Sequence, residues 1–381
     1  MGLDKQKKTL LIQIGLFILT LLTTTLAGTE WSRNKYLILG MTWDDFLAGF
    51  EFSIPFLLIL TVHEFGHYFT ARYHKIKVSL PYYIPMWLGF IGGPSLGTMG
   101  AFIRIQEHIA SRRKYFDVGV SGPVAGFVVA LAVLWYGFSN LPDQEFIYEI
   151  HPEYKEYATI DEAIAQTDGM TIKLGGNLLF DFFGTYVADP EKLPHPNEII
   201  HYPWLLAGYL ALFFTALNLL PIGQLDGGHV VFGLFGGKRH AFISRVLFTV
   251  FLFYAGLGWV TSADLANTSW ESIGSFTISL LAYLFIVYIC AFSVFRQPKD
   301  RMLYAAVMLT VQYFTASIFK VEGYSGWLLF SLIIGRFLGV DHPPVIDNRP
   351  LSTGQKIMGW LALIIFVLCL SPKPLVLEGL D

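Results

Sequence analysis

Charge is scarce in this chain. Only 14% of its 381 residues are Asp, Glu, Lys or Arg, against 54% apolar, and the net charge is −3. So few charges are unusual for a soluble domain, and the charge pattern offers no basic face for nucleic acid. Cysteine is scarcer still. Cys290 and Cys369 stand far apart in separate apolar runs, which argues against a disulfide framework and against a thiolate metal site. There is no internal repeat either, and the paired halves expected of many transporters are therefore missing.

What the chain has in abundance is apolar sequence in runs of membrane length, with a mean hydropathy of +0.52. Lys5, Lys7 and Lys8 precede the run Leu10 to Ala27. That run is longer than the roughly 7 to 15 residues of a signal-peptide core, which predicts a retained first span with a cytoplasmic amino terminus. A polar loop with Glu30, Arg33, Asp44 and Asp45 follows, and a second span, Phe52 to Ala71, runs back inward to Arg72, Lys75 and Lys77. Further spans are expected near Phe116 to Phe138, Pro203 to Leu220, Val246 to Val260 and Ile273 to Phe295. Shorter apolar stretches, Trp327 to Leu338 and Ile357 to Leu370 among them, end near Leu370. The fold class is thus an all-α integral membrane protein, a helical bundle of eight or nine spans, placed in the cell (inner) membrane.

The charges that do occur are unevenly spread. Leu141 to Tyr202 holds twelve acidic and three basic residues, a net of −9, which leaves +6 for the rest. The positive-inside rule puts the basic loops in the cytoplasm and this acidic insert on the opposite side, with Asp264 and Glu271 in another outer loop. The chain divides into a first span and loop (1–51), a core (52–138), the insert (139–202), a motif-bearing helix and turn (203–240), and additional spans (241–381). Within the insert a helix is expected around Asp161 to Gln166, and Leu178 to Phe183 is apolar enough to lie on the membrane surface or dip into it. His151, His195 and His201 also fall there; with the carboxylates they offer a metal or pH-sensing cluster, but a solvated face is the preferred reading.

The most informative stretch is His63-Glu64-Phe65-Gly66-His67, an HExxH pattern inside the second span. On a helix the two histidines lie one turn apart on one face, close enough to bind one metal ion, with Glu64 placed to take a proton from water. The plain alternative is a pair of core histidines packed between helices. Ionisable groups in an apolar segment cost about 2.5 kcal/mol or more each, which favours the functional reading. From Ser79 to Ile105 prolines 81, 85 and 94 and many glycines break any helix while the segment stays apolar, so a re-entrant β-hairpin beside the metal site is expected. Its last part, Gly100 to Ile105, reads as a strand, and residues such as Phe102 and Ile103 could pair with an extended substrate backbone; a hairpin that only plugs the bundle is the alternative.

The fourth span ends in Asn218-Leu-Leu-Pro-Ile-Gly-Gln-Leu-Asp226-Gly-Gly-His229. Pro221 and the glycines break the helix, leaving Asp226 poorly solvated unless something positive pairs with it. It is either a third metal ligand beside His63 and His67, with water completing the set, or the cap of the next helix. His229 reads as a helix-terminal surface residue, with a place next to the metal as the alternative.

Together, the HEFGH and the downstream NLLPIGQLDGG resemble the site-2 protease family of intramembrane zinc metalloproteases. The resemblance runs from about Phe52 to His229. It implies Zn2+ held by His63, His67 and Asp226, Glu64 as catalytic base, and substrate contact by Asn218. It also implies a single-span membrane protein as substrate, met in the bilayer and often trimmed first by an upstream site-1-type protease. Many relatives have a PDZ domain between the two motifs, where this chain has the short acidic insert. Gly335 to Leu351, with Asp341-His342-Pro343-Pro344, resembles a subgroup with extra carboxy-terminal spans, and no chemistry is assigned to it. Two other classes stay open at this stage: a membrane metalloenzyme with a different third ligand, and a catalytically silent scaffold or transporter.

Overall fold

The computed structural model describes residues 2–91, 93, 95–166, 171–261 and 270–378; Pro94 and Asp264 lie outside them. In chain order come α1 (Gly2–Arg33), α2 (Trp43–Ala48), α3 (Phe50–Tyr73), β1 (Tyr82–Met86), β2 (Gly97–Phe102) and α4 (Arg112–Ser139). The insert contributes α5 (Ile147–Ile150), α6 (Ile160–Gln166), β3 (Thr171–Leu174) and α7 (Leu178–Tyr186). Then follow α8 (Pro203–Leu219), α9 (Asp226–Phe235), α10 (Gly237–Gly256), α11 (Trp270–Cys290), α12 (Pro298–Phe319), α13 (Trp327–Ile333), α14 (Thr353–Cys369) and β4 (Leu375–Glu378). Among the described residues, five segments are long and apolar enough to cross a membrane: Gln6–Arg33, Trp43–Tyr73, Arg112–Ser139, Ile273–Ser293 and Pro298–Phe319. Pro203–Leu219, Trp327–Leu338 and Thr353–Cys369 are shorter apolar helices. α10, expected as a span, is not among the five; Lys238, Arg239 and Arg245 occupy its first half.

The chain forms two compact units. The first comprises Met1–Ile109, Asp117–Asn218 and Trp360–Asp381; the second comprises Ala110–Phe116 and Leu219–Gly359. In the first, the usual arrangement of a soluble core is reversed along α1: Leu11 is 69% exposed, whereas Thr20, Thr24, Thr25 and Thr29 are buried. Apolar side chains outside and small polar ones inside suit a helix whose solvent is lipid, since hydroxyls can bond to backbone carbonyls and let helices approach. Thr24 and Thr25 do this with the carbonyls of Thr20 and Leu21, and Thr25 Oγ1 also meets Ser53 Oγ of α3 at 2.8 Å.

β1 and β2 pair antiparallel, with Tyr82 opposite Phe102 and Met86 opposite Gly97, and the register slips between Tyr83 and Pro85. β2 begins three residues earlier than the expected strand. Gly97 takes a positive φ of 76°, and its Cα sits so near the α1 backbone at Thr23 and Thr24 that a side chain would collide. Pairing is looser beyond Phe102, where Ser79 N–H bonds to Arg104 O and Gln106 N–H to Lys77 O. α1 fastens this hairpin from one side. Gln13 Nε2 donates to Leu80 O, Thr23 Oγ1 to Gly97 O and Trp31 Nε1 to Ser95 O, each at 2.7 Å. Tyr83 OH meets Thr61 Oγ1 of α3 at 2.8 Å, two residues before His63. The hairpin thus lies against the helix that carries the HExxH pattern.

α3 and α4 pack through glycine: a Cβ on Gly66 would stand 2.7 Å from the Ser121 carbonyl. The insert has a small core of its own, Ile147, Tyr154 and Ala163, with the expected helix present as α6. α7 is two-sided, with Phe180 and Phe183 buried and packed on Phe138 while Leu178, Phe182 and Tyr186 are exposed. β3 pairs with β4 from Thr171 opposite Glu378 to Leu174 opposite Leu375, which ties the insert to the end of the chain. In the second unit, Tyr283 OH bonds to Gln312 Oε1 at 2.6 Å inside the packing of α11 and α12.

Because Gly66 touches backbone that cannot swing aside, Gly66→Ala is expected to lower the melting temperature in detergent, with a cost of about 1–3 kcal/mol. Gly15→Ala, with nothing within 4 Å of the added carbon, should leave it unchanged or slightly raised. Differential scanning fluorimetry of the two variants checks this.

Candidate metal centre

One turn of α3 sets His63 above His67, and both rings are turned into the protein, 7% and 8% exposed. Their Nε2 atoms converge to 3.1 Å, with the ring planes crossed at 76°. Val118 O of α4 lies 2.7 Å from His67 Nδ1. A carbonyl only accepts, so Nδ1 carries the proton and the lone pair of His67 sits on Nε2, facing His63. That is the state a metal-binding imidazole needs. Glu64 is buried beside the pair at 5% exposure. An arrangement of two buried imidazole nitrogens at this spacing fits one Zn2+ ion, for which bond lengths of about 2.0–2.1 Å place neighbouring ligands roughly 3.3 Å apart.

Room for the rings comes from α4. A Cβ on Gly122 would overlap the imidazole of His67, and one on Gly126 would press on His63 Cβ at 3.0 Å and Nδ1 at 3.4 Å. These small residues let α4 come close to α3, and the space they leave is taken by the histidine pair. Asn218, at the end of α8, brings its amide nitrogen to 3.5 Å from His63 Nε2, the outer limit of a hydrogen bond. Phe102 is 47% exposed and stacks on Tyr82, and Ile103 follows it just beyond β2.

In the second unit, Asp226 is the first residue of α9 and is half-buried; the N-cap position belongs to Leu225, so Asp226 is not the cap. The neighbouring glycines have a backbone reason. A Cβ on Gly227 would strike the Leu219 carbonyl, and one on Gly228 the Gly223 carbonyl. Gly223 itself has φ 59°, and its N–H is held by Ser244 Oγ at 2.8 Å. His229 is not the surface residue expected. Its Nδ1 lies 2.8 Å from His342 Nε2, Tyr115 stacks on its ring at 5.1 Å, and Phe232 stacks on His342 at 3.7 Å. The Asp341-His342-Pro343-Pro344 loop supplies that partner more than a hundred residues away, where no local pattern points to it. Burial and the neighbouring histidine rings push His342 down to about 3, so it is neutral at physiological pH.

In the insert, the preferred reading of a solvated face holds for His195, which meets the exposed Asp161 at 3.0 Å, and fails for its neighbours. His201 and Glu198 are buried, and His151 is largely covered. Loss of water pushes His201 down to about 4 and raises Glu198. The turn Ile199–His201 is folded in against the end of α1, a tertiary fact that charge counting misses.

Comparison with known proteins fits this arrangement. The model for peptidase family M50 matches residues 51–257, more than half of the chain. The chain belongs to that family. It is 31% identical over 191 residues to the probable zinc metalloprotease EGY1, chloroplastic, of Arabidopsis thaliana, a stretch covering 50% of this chain and 30% of that protein. It is also 31% identical over 188 residues to the probable zinc metalloprotease EGY2, chloroplastic, of Oryza sativa subsp. indica, covering 49% and 30%. The matched stretch is thus less than a third of the length of these relatives. No solved structure is significantly similar to it.

If α4 shapes the histidine pocket, Gly122→Ala should displace the His67 ring and reduce tightly bound metal by roughly tenfold or more, with helical content unchanged. Gly126→Ala, whose contacts are looser, should have the smaller effect. Metal analysis after gel filtration, with circular dichroism alongside, distinguishes the two.

Proposed function

We propose that this protein is an intramembrane zinc metalloprotease that hydrolyses peptide bonds within or near the transmembrane helices of other membrane proteins. The observation that carries the reading is the buried pair of Nε2 atoms 3.1 Å apart, beside the buried Glu64, on a helix long and apolar enough to cross a membrane. Membership of the M50 family supports it.

His63 and His67 would supply two zinc ligands, and Asp226 of the LDG motif would be the third, as the family resemblance implies. When bound, the ion lowers the pKa of a water molecule to about 7 and polarises the scissile carbonyl. Glu64 accepts a proton from the attacking water and delivers it to the nitrogen of the departing amine. Its burial limits the access of bulk water to that proton. A helical substrate hides its carbonyls in i to i−4 bonds, so the segment to be cut must unwind. The β2 end at Phe102 and Ile103 takes up the extended backbone, and the Asn218 amide offers it a hydrogen bond. The preferred substrate is a single-span protein with helix-weakening residues near the cut, delivered by an upstream protease.

The three shorter apolar helices add to the five long ones to give eight spans, α10 would be a ninth, and the hairpin enters the membrane from the active-site side. Lys5, Lys7, Lys8, Arg72, Lys75 and Lys77 place the amino terminus and the active-site end in the cytoplasm, and the acidic insert outside.

Zinc content and cleavage of a model single-span substrate, measured together on detergent-purified protein, test the roles. Wild type should cut. Asp226→Ala should lose zinc from the His63 and His67 site together with activity. Glu64→Gln should keep the metal and cut at least about 10²-fold more slowly. If Asp226→Ala retains both metal and activity, the third ligand lies elsewhere. Phe102→Asp should raise KM for the substrate more than it lowers kcat, since it weakens capture and leaves the proton transfer intact.

A further inference from the structure

We propose that His151, Glu198 and His201 form a second divalent-metal site, in the acidic insert, with the donor set and spacing of Zn2+. Nε2 of His151 and Nε2 of His201 are 3.2 Å apart. Glu198 Oε2 lies 3.7 Å from the first and 3.4 Å from the second. Ligands on a tetrahedral Zn2+ with bonds of about 2.0–2.1 Å are separated by roughly 3.3 Å, so the three edges bracket that value. Two imidazoles and one carboxylate leave a fourth position for water or a ligand from solution, and the absence of thiolate favours a borderline ion over a soft one.

Each donor is also oriented from behind. Glu153 Oε1 holds His151 Nδ1 at 2.9 Å, which fixes the proton there and leaves the lone pair on Nε2. Tyr154 OH donates to Glu198 Oε1 at 3.0 Å, which turns the other oxygen toward the rings. The backbone carbonyls of Trp31 and Ser32 face His201 and favour a proton on its far nitrogen, although Nδ1 makes no hydrogen bond of good geometry there. Carboxylates and carbonyls behind imidazole ligands are the outer support that metal sites characteristically have. Protons satisfy these atoms poorly. Glu198 Oε2 is buried and makes no hydrogen bond, although it points at two ring nitrogens. One N–H along the line between the rings would leave this oxygen with nothing, at a cost of about 1–3 kcal/mol or more for a charged group.

A metal here does mechanical work. It joins the turn after α5 to the turn before α8 and sets both against the end of α1, in an insert whose own apolar core is small. Small cores commonly need such a clamp. The site is separate from the histidine pair on α3 and does not rest on the proteolytic reading.

The test uses the full chain in detergent, stripped with chelator, reloaded with Zn2+ and analysed for metal by mass spectrometry. Wild type should hold two equivalents. His63→Ala/His67→Ala should keep one, and adding His151→Ala or Glu198→Gln should remove it. In an otherwise wild-type chain, His151→Ala should hold one equivalent. Glu153→Gln and Tyr154→Phe should weaken this second site roughly tenfold or more. Co2+ in place of zinc should give the visible bands of a tetrahedral nitrogen and oxygen site in His63→Ala/His67→Ala, and these should vanish with His151→Ala. Thermal melting of each metal-free variant identifies any that fail to fold. His151, the least buried of the three, carries the decision then, because wild type and His151→Ala must differ by one equivalent. Equal metal content in those two proteins, or a folded His63→Ala/His67→Ala that takes up neither Zn2+ nor Co2+, overturns the proposal.

Discussion

The hydrogen bond between His67 Nδ1 and the Val118 carbonyl is the interaction on which the centre of this molecule depends. His67 is buried, and leaving a buried imidazole N–H unbonded costs about 1–3 kcal/mol or more. Giving that proton to α4 settles the tautomer, turns Nε2 toward His63 and requires the two helices to touch. The contact is possible because Gly122 and Gly126 repeat with the same four-residue spacing as His67 and His63 and run in the opposite sense along the partner helix. One helix presents two rings a turn apart; the other presents two absences of side chain a turn apart. Gly66 completes the fit by letting the backbones meet at Ser121.

The same constraint shapes the hairpin. A short ladder leaves outward carbonyls unpaired, and the side chains of Gln13, Thr23 and Trp31 donate to three of them. Read as a span alone, α1 would have no use for a buried row of threonines. They belong to a helix that supplies hydrogen bonds to an irregular neighbour. This also narrows where a further strand could add: the Gly97 end is tied to α1, whereas Met99 and Phe102 are exposed, at 62% and 47%.

Legibility from sequence followed the range of the interaction. The HExxH spacing, the helix around Asp161 to Gln166, the break after Asn218 and four of the five long apolar helices depend on neighbours within a turn or two and are legible in the sequence, whereas Pro298–Phe319 reads there only as a shorter apolar stretch. The strand starts three residues before the Gly100 that the local pattern indicates, because Gly97 is selected by the backbone of α1, more than seventy residues away. The sequence points His229 to the surface because its partner, His342, lies 113 positions on. His201 reads in the sequence as part of a solvated face because the insert is acidic overall, and net charge says nothing about which residues of a segment are turned inward.

The LDGG turn shows why a motif can be specific and yet mix two kinds of constraint. Asp226 opens the helix without occupying its N-cap, and the proposed reading gives its carboxylate to the metal. Gly227 and Gly228 are there for space, since each faces a carbonyl oxygen that a methyl group would overlap. Removing the carboxylate leaves the turn intact, and adding a methyl moves the turn and the carboxylate together. The two kinds of substitution therefore separate ligand loss from misplacement: the first should abolish metal binding in a protein of normal stability, and the second should reduce stability and binding in proportion. A chain under only one of these constraints would need one of the two residue types, so the joint occurrence in so few positions is what makes the pattern hard to reach by chance.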